Sequence, residues 1–190
     1  GVFGEAIDFD NGRVGDGTTL RTQVTLAPTT HLEVQLNASR RWLDEVLRLE
    51  TVRAQRYAQP FCVVLVEVDQ LAAINDSFGR AAGDQVLRTV ADALTAAFRS
   101  TDVVARYGGD QFLAMLPICA LEQARIVAER MRASVSETPM AFRPDPVTTT
   151  LGIAQWLPGD TVAILVERAE RALRAAQHAG LDQAPGGGQG

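Results

Sequence analysis

An acidic turn at residues 106–112 carries the first side chains that could do chemistry. The run reads Arg-Tyr-Gly-Gly-Asp-Gln-Phe, with apolar residues at 103–105 before it and at 112–116 after it. Two short apolar runs joined by Gly-Gly-Asp predict a β-hairpin. Glycine permits positive φ and lets another molecule approach the backbone closely, so Asp110 would face outward, where it could meet a metal ion or a phosphate. Because Gly and Asp are common turn residues, the run taken alone favours a plain hairpin.

A second acidic pair follows an apolar run at residues 61–69. The run is rich in β-branched residues and predicts a central strand that is buried on both faces. Its last residues include Glu67 and Asp69, which alternation places on one face of the strand. Carboxylates at a strand end suit hard cations such as Mg²⁺, which prefer oxygen ligands. Solvated acids at a bare strand terminus are the open alternative.

Composition narrows the class of protein. The chain has 190 residues and a net charge of −5, and its basic residues are all Arg, with no Lys. Such a charge gives no general basic surface for nucleic acid, whereas Arg suits bidentate recognition of phosphates and guanine edges. We interpret Cys62 and Cys119, which lie in or beside apolar runs, as small buried residues rather than a disulfide or a metal site.

Location is also constrained by the sequence. No apolar stretch of the sequence is long enough to span a bilayer, and the sequence contains no recognisable signal peptide. The chain starts at Gly1 rather than Met, so we expect a fragment, a cytoplasmic portion of a larger protein.

Periodicity predicts the elements that would position these acids. A helical pattern covers 31–57, with a possible interruption at Asn37-Ala38-Ser39; it could join an upstream domain, dimerise, or pack on its own domain. The other predicted elements are a short helix at 71–79, a helix after Gly83-Asp84, a helix at 121–135, a possible short strand at 140–142, a strand at 147–154 and a helix at 161–179. This order predicts an α/β or α+β domain around one sheet, with helices packed against it.

The ends of the chain are assigned separately. Residues 1–30 are interpreted as an N-terminal extension or linker of unknown function, with one strand-like run at 20–26. Residues 31–183 would form the domain with its N-terminal helix, and the Gly-rich segment 184–190 would be a disordered tail.

Several motifs occur in the order seen in one family, and the chain resembles the GGDEF family of diguanylate cyclase domains over roughly residues 37–183. The family pattern Asp-x-Asp-x-Phe-Lys-x-Ile-Asn-Asp appears at 67–76, Gly-His-x-x-Gly-Asp-x-x-Leu at 79–87, Gly-Gly-(Asp/Glu)-Glu-Phe at 108–112 and Ser-Ile-Gly at 150–152. The resemblance implies a fold like the palm of nucleotidyl cyclases, with a mostly antiparallel sheet. It also implies condensation of two GTP into cyclic di-GMP.

Site residues are carried over position by position. The metal site would comprise Glu67 (usually Asp), the carbonyl of Val68 and Asp110, where Mg²⁺ would neutralise charge during phosphoryl transfer. The guanine base would be bound by Asn75 and Asp84, because a carboxylate and an amide can pair with its polar edge.

Departures from the family pattern fall on the catalytic groups. Gln111 stands where active members have an acid, so the catalytic pair Asp110 and Gln111 is degenerate. The family's Lys and Arg residues are replaced by Ala72, Gln177 and Leu181, and its Asp-x-Leu-Thr-Gly-Leu motif is missing near residues 31–36. Each charge-assisted hydrogen bond is worth about 1.5–3 kcal/mol, so these losses predict little or no cyclase activity.

The family's product-inhibition motif Arg-x-x-Asp is present as Arg99 and Asp102. Arg130 and Arg53 match two further arginines that contribute to this site in family members, from the same or a neighbouring subunit. Taken alone, Arg-x-x-Asp more often marks an ion pair at a helix end.

We therefore expect a catalytically degenerate signalling domain that acts as a receptor for cyclic di-GMP. The alternatives are a weak diguanylate cyclase, a GTP-binding module, and a pure protein-interaction domain. Mg²⁺ is expected only if a nucleotide binds the vestigial active site. A protein partner or adjacent domain and a homodimer are further expectations.

Overall fold

The computed structural model describes residues 32–182, with side chains described for residues 40–179. The expectations for residues 1–30 and 184–190 lie outside this range. The elements follow the chain as α1 (Leu32–Tyr57), β1 (Cys62–Val68), α2 (Leu71–Phe78), α3 (Arg80–Ala97), β2 (Val103–Arg106), β3 (Gln111–Leu116), α4 (Leu121–Glu137), β4 (Thr149–Gln155) and α5 (Val162–Asp182).

One sheet of four strands organises the described residues, in the order β2-β3-β1-β4. Every neighbouring pair is antiparallel, which confirms the predicted α+β class. β1 lies inside the sheet, and all but one of its seven residues are buried. The prediction of a central strand buried on both faces is therefore confirmed.

Helices cover both faces of the sheet. Alternate residues of β1, such as Val64 and Val66, join a core that includes α2, α3 and α4. The other set, including Val63 and Leu65, joins a second core with α1 and α5. Glu67 follows Leu65 by two positions, so it lies on the α1 and α5 side. Cys62 and Cys119 are buried free thiols, as expected, and burial raises the pKa of Cys62 to about 12.

Three sequence expectations were wrong in detail. Helix α1 continues through 37–39 without a break. Helix α3 begins at Arg80, so Gly83 and Asp84 lie inside its first turns rather than before it. The strand expected at 140–142 does not form; Met140 makes only a single isolated bridge with Arg143.

Within residues 32–182, no helix combines the length and the apolar character needed to cross a membrane.

Candidate nucleotide site

The Gly-Gly-Asp turn joins β2 to β3 as predicted. The backbone N–H groups of Tyr107 and Gly108 both donate to the carbonyl of Gln111, at 2.8 and 3.1 Å. Neither glycine has a positive φ, so the expected left-handed backbone is not what requires them. A Cβ added at Gly109 would meet no atom within 4 Å, which leaves the outer side of the turn open.

Arg106 stabilises this turn through hydrogen bonds to its backbone carbonyls, a role that the sequence analysis did not predict. Its Nε donates to the carbonyl of Gly108 at 3.1 Å, and its Nη2 donates to the carbonyl of Gly109. Burial lowers the pKa of Arg106, and the nearby carboxylates of Asp84 and Asp110 oppose that shift. Its place two residues before the Gly-Gly pair is the one sequence signal that could have identified it.

Asp110 lies at the end of β1. The backbone N–H of Val68 donates to the carbonyl of Asp110 at 3.0 Å, and Glu67 pairs with Gln111 across the strands. The structure thus brings together all the residues assigned to the metal and catalytic set, namely Glu67, Val68, Asp110 and Gln111.

The carboxylate of Glu67 is bound on both sides by glutamine. Gln111 Nε2 donates to its Oε2 at 2.5 Å, and Gln177 Nε2 from α5 donates to its Oε1 at 2.5 Å. Both oxygens that would ligate a cation therefore already accept amide hydrogen bonds. Among the residues whose side chains are described, no group of three or more His, Cys, Asp and Glu side chains could hold a metal ion. This donor set does not fit the Mg²⁺ that the family uses.

Asp69 is directed toward β4 instead. The hydroxyls of Thr148 and Thr150 donate to its two carboxylate oxygens, at 2.6 and 2.7 Å. Glu67 and Asp69 share the sheet face predicted by alternation, but each has its own partners.

The two residues assigned to guanine lie on successive helices. Asn75 lies on α2 and Asp84 on α3. A Cβ added at Gly83 would meet Asn75 Oδ1 at 2.0 Å, so the amide of Asn75 lies directly against this glycine. Asp84 is exposed. The charge of Asp84 opposes the lowering of the Arg106 pKa, so Asp84 lies near the arginine that binds the hairpin turn.

The Arg-x-x-Asp motif forms the loop between α3 and β2. The backbone N–H of Arg99 donates to Asp102 Oδ2 at 2.7 Å, and that of Asp102 donates to the carbonyl of Arg99 at 3.0 Å. The side chain of Arg99 is exposed. Arg130 reaches the same helix end from α4, because its Nη2 donates to the carbonyl of Ala97 at 2.6 Å. The motif is therefore not a side-chain ion pair, the alternative considered from the sequence.

Arg53 lies apart from this group. It is exposed on α1, and its Nη1 is 4.0 Å from Glu50 Oε2. Within residues 40–179, no hydrogen bond or ion pair joins Arg53 to Arg99, Asp102 or Arg130. The structure thus brings three of the four predicted residues together.

Comparison with known proteins agrees with this geometry. The family model of the diguanylate cyclase GGDEF domain matches residues 35–183. The diguanylate cyclase DgcP of Pseudomonas aeruginosa is 35% identical over 143 residues, which are 74% of this chain and 21% of DgcP. The response regulator PleD of Caulobacter vibrioides is 33% identical over 153 residues, which are 78% of this chain and 34% of PleD. The chain thus spans at most about a third of either relative.

Solved structures show the same fold. The GGDEF domain of DgcB from Caulobacter crescentus, solved in complex with cyclic di-GMP, superposes with a TM-score of 0.71 at 28% identity, covering 74% of this chain and 85% of that one. The family match, the ordered motifs and the shared hairpin lead to one conclusion: this chain belongs to the GGDEF family of diguanylate cyclase domains.

Proposed function

We propose that this domain is a receptor for cyclic di-GMP that binds through Arg99 and Asp102 and makes little or no product itself. The observation that carries the proposal is the arrangement of three groups at one end of α3. Arg99 is exposed, Asp102 is held beside it by reciprocal hydrogen bonds, and Arg130 is anchored on Ala97.

The chemistry of this loop suits a guanine dinucleotide. An exposed guanidinium can donate two parallel hydrogen bonds to a phosphate or to the O6 and N7 edge of guanine. Asp102 uses Oδ2 for the backbone of Arg99, and among the described residues its Oδ1 accepts no hydrogen bond. That oxygen is available for the N–H groups of a guanine base. The related DgcB domain, solved with cyclic di-GMP, makes this ligand the first one to test.

The geometry of the vestigial active site supports the second part of the proposal, that the domain makes little or no cyclic di-GMP. Gln111 lacks the charge of an acid and cannot act as a base, and with Gln177 it binds the oxygens of Glu67. The position of a phosphate-binding Lys is therefore taken by an amide that is turned toward the protein. A weakly active cyclase is the alternative.

A second candidate function is the binding of GTP without turnover. The close approach of Asn75 to Gly83, the residue before Asp84, supports it, because both residues assigned to guanine then lie at the same junction of α2 and α3. The loss of cationic phosphate ligands predicts a weaker affinity than for cyclic di-GMP.

Calorimetric titration of the chain with cyclic di-GMP, and separately with GTP, tests both ideas. We expect binding of cyclic di-GMP that is lost in Arg99→Ala and kept in Arg41→Ala, since Arg41 is an exposed arginine on α1. No binding at tens of micromolar, or equal binding by Arg99→Ala, would exclude the receptor role.

A further inference from the structure

We propose that Gln111 and Gln177 replace a divalent cation as the partners of the Glu67 carboxylate, which makes this corner of the sheet a metal-independent clamp between the hairpin and α5. The inference does not depend on the receptor role, because it concerns the opposite end of the hairpin. It rests on the two amide contacts and on the strand register.

The geometry of the clamp leaves little room for a cation. Each carboxylate oxygen of Glu67 has an amide nitrogen at 2.5 Å, one from β3 and one from α5. Mg²⁺ needs oxygen ligands at about 2.0–2.1 Å in near-octahedral geometry. Each carboxylate oxygen has a second acceptor site, but a cation there would lie close to an amide N–H whose positive end points at the same oxygen. Cation and amides would therefore compete for Glu67.

The strand register explains why the amide works without a metal. Glu67 and Gln111 are directly opposite each other in β1 and β3. Like charges at opposite positions are destabilising, so an acid at position 111 would be stabilised by a cation between the two carboxylates. Gln111 offers a donor to the same carboxylate and removes the repulsion.

The clamp also connects elements that are distant in sequence. Gln177 lies 110 positions from Glu67 and reaches it from the C-terminal half of α5. Glu67 is thus the point where β1, β3 and α5 are joined by side-chain hydrogen bonds. Its loss would loosen α5 from the hairpin rather than remove a catalyst.

Paramagnetic Mn²⁺, added alone to the full chain, provides the direct test. We expect the side-chain amide signals of Gln111 and Gln177 in ¹H–¹⁵N spectra to keep their intensity to the same degree as Gln85, an exposed residue of α3. Selective broadening of the Gln111 and Gln177 signals would overturn the proposal.

Substitution provides the second test. The melting temperature of the wild-type chain should not change on addition of Mg²⁺. In Gln111→Glu it should fall without metal and recover with Mg²⁺, whereas the matched variant Gln85→Glu should not respond. A wild-type Mg²⁺ response that disappears in Glu67→Gln, or a Gln111→Glu variant indifferent to Mg²⁺, would each exclude the replacement.

Discussion

At the scale of single residues, the proposed role of Asp102 makes the affinity for cyclic di-GMP dependent on pH. Burial raises its pKa above the ordinary value of 3.8, although the backbone N–H of Arg99 opposes the shift. A raised pKa means that the carboxylate takes up its proton at a higher pH than a free Asp. The charged form accepts hydrogen bonds from guanine, and the protonated form does so less well.

We therefore predict that affinity for cyclic di-GMP falls as the pH decreases toward 3.8, beginning above the point at which an exposed Asp would titrate. Titrations across that range on the folded chain measure the effect. Asp102→Asn should bind more weakly at neutral pH and lose the pH dependence. An unchanged pH profile in Asp102→Asn would show that another group titrates.

Gly83 allows a second prediction, because three atoms of one side chain account for its nearest contacts. A Cβ there would lie 2.0 Å from Asn75 Oδ1 and 2.9 Å from Asn75 Cγ. Gly83→Ala should therefore lower the free energy of unfolding in the wild-type background, by about 1–3 kcal/mol.

The effect of Gly83→Ala on the free energy of unfolding should have the opposite sign when Asn75 is truncated. In the Asn75→Ala background the clash is absent, and Ala is favoured over Gly in a helix by up to about 1 kcal/mol. Urea denaturation of the four proteins of this cycle measures the coupling. Equal effects in both backgrounds would mean that Asn75 does not lie against Gly83.

Individual residues also show which parts of the site could be predicted from the sequence and which could not. Asn75, Asp84 and Asp110 could be assigned from motif positions. The pairing of Gln177 with Glu67 could not be assigned, because that contact depends on how two segments 110 positions apart meet. A glutamine far from an acid in the chain carries no signal that the two will share a hydrogen bond.

At the scale of elements, α5 and β4 are packed so closely that one glycine decides the fit. A Cβ at Gly152 would lie 2.1 Å from the carbonyl oxygen of Ala169 and 2.7 Å from the backbone nitrogen of Leu173. These are backbone atoms of a helix, which cannot rotate away as a flexible side chain can.

Gly152→Ala should consequently destabilise the domain by about 1–3 kcal/mol, toward the upper end of the cost of overpacking. Chemical denaturation monitored by tryptophan fluorescence is suitable, since Trp156 is buried in the same core as Ala169 and Leu173. The control is Gly109→Ala, which meets no atom within 4 Å and should change the free energy of unfolding by less than about 0.5 kcal/mol. Similar losses in both variants would refute the packing argument.

Elements were predicted well where one face carries a continuous apolar pattern. β1 and the later helices follow such patterns, and their bounds differ from the expected ones by a few residues. The break expected at Asn37-Ala38-Ser39 is absent, because these residues tolerate a helix when the flanking turns are helical. The run at 140–142 has strand-like residues but no neighbouring strand to pair with, so it forms only the bridge between Met140 and Arg143.

At the scale of the whole molecule, the Lys and Arg side chains that the family pattern has and this chain lacks predict slow conversion of GTP to cyclic di-GMP. At least three charge-assisted contacts are missing, each worth about 1.5–3 kcal/mol, so the rate should be lower than in an active relative by several powers of ten. Incubation with GTP and Mg²⁺, followed by chromatography, should show no cyclic di-GMP. A product peak that disappears in Asp110→Ala would reverse this conclusion.

Tight binding at the Arg-x-x-Asp loop would also stabilise the entire domain. A ligand present at 100 times its Kd adds about 2.7 kcal/mol to the free energy of unfolding. Cyclic di-GMP should therefore raise the melting temperature of the wild-type chain but not that of Arg99→Ala. A smaller or absent rise with GTP would separate the receptor from a GTP-binding module.

One contact between α1 and the hairpin has a thermodynamic consequence. The guanidinium of Arg40 lies 4.6 Å from the centroid of the Tyr107 ring, and its Nη2 donates to the Tyr107 hydroxyl at 3.2 Å. Tyr107 is the first residue of the turn that carries Asp110. Because the contact with Arg40 is lost if either α1 or the turn moves alone, its interaction free energy couples the positions of the two elements. Coupling of this kind is reciprocal: if a ligand at the hairpin changes the affinity of α1 for a partner, that partner must change the affinity for the ligand by the same factor.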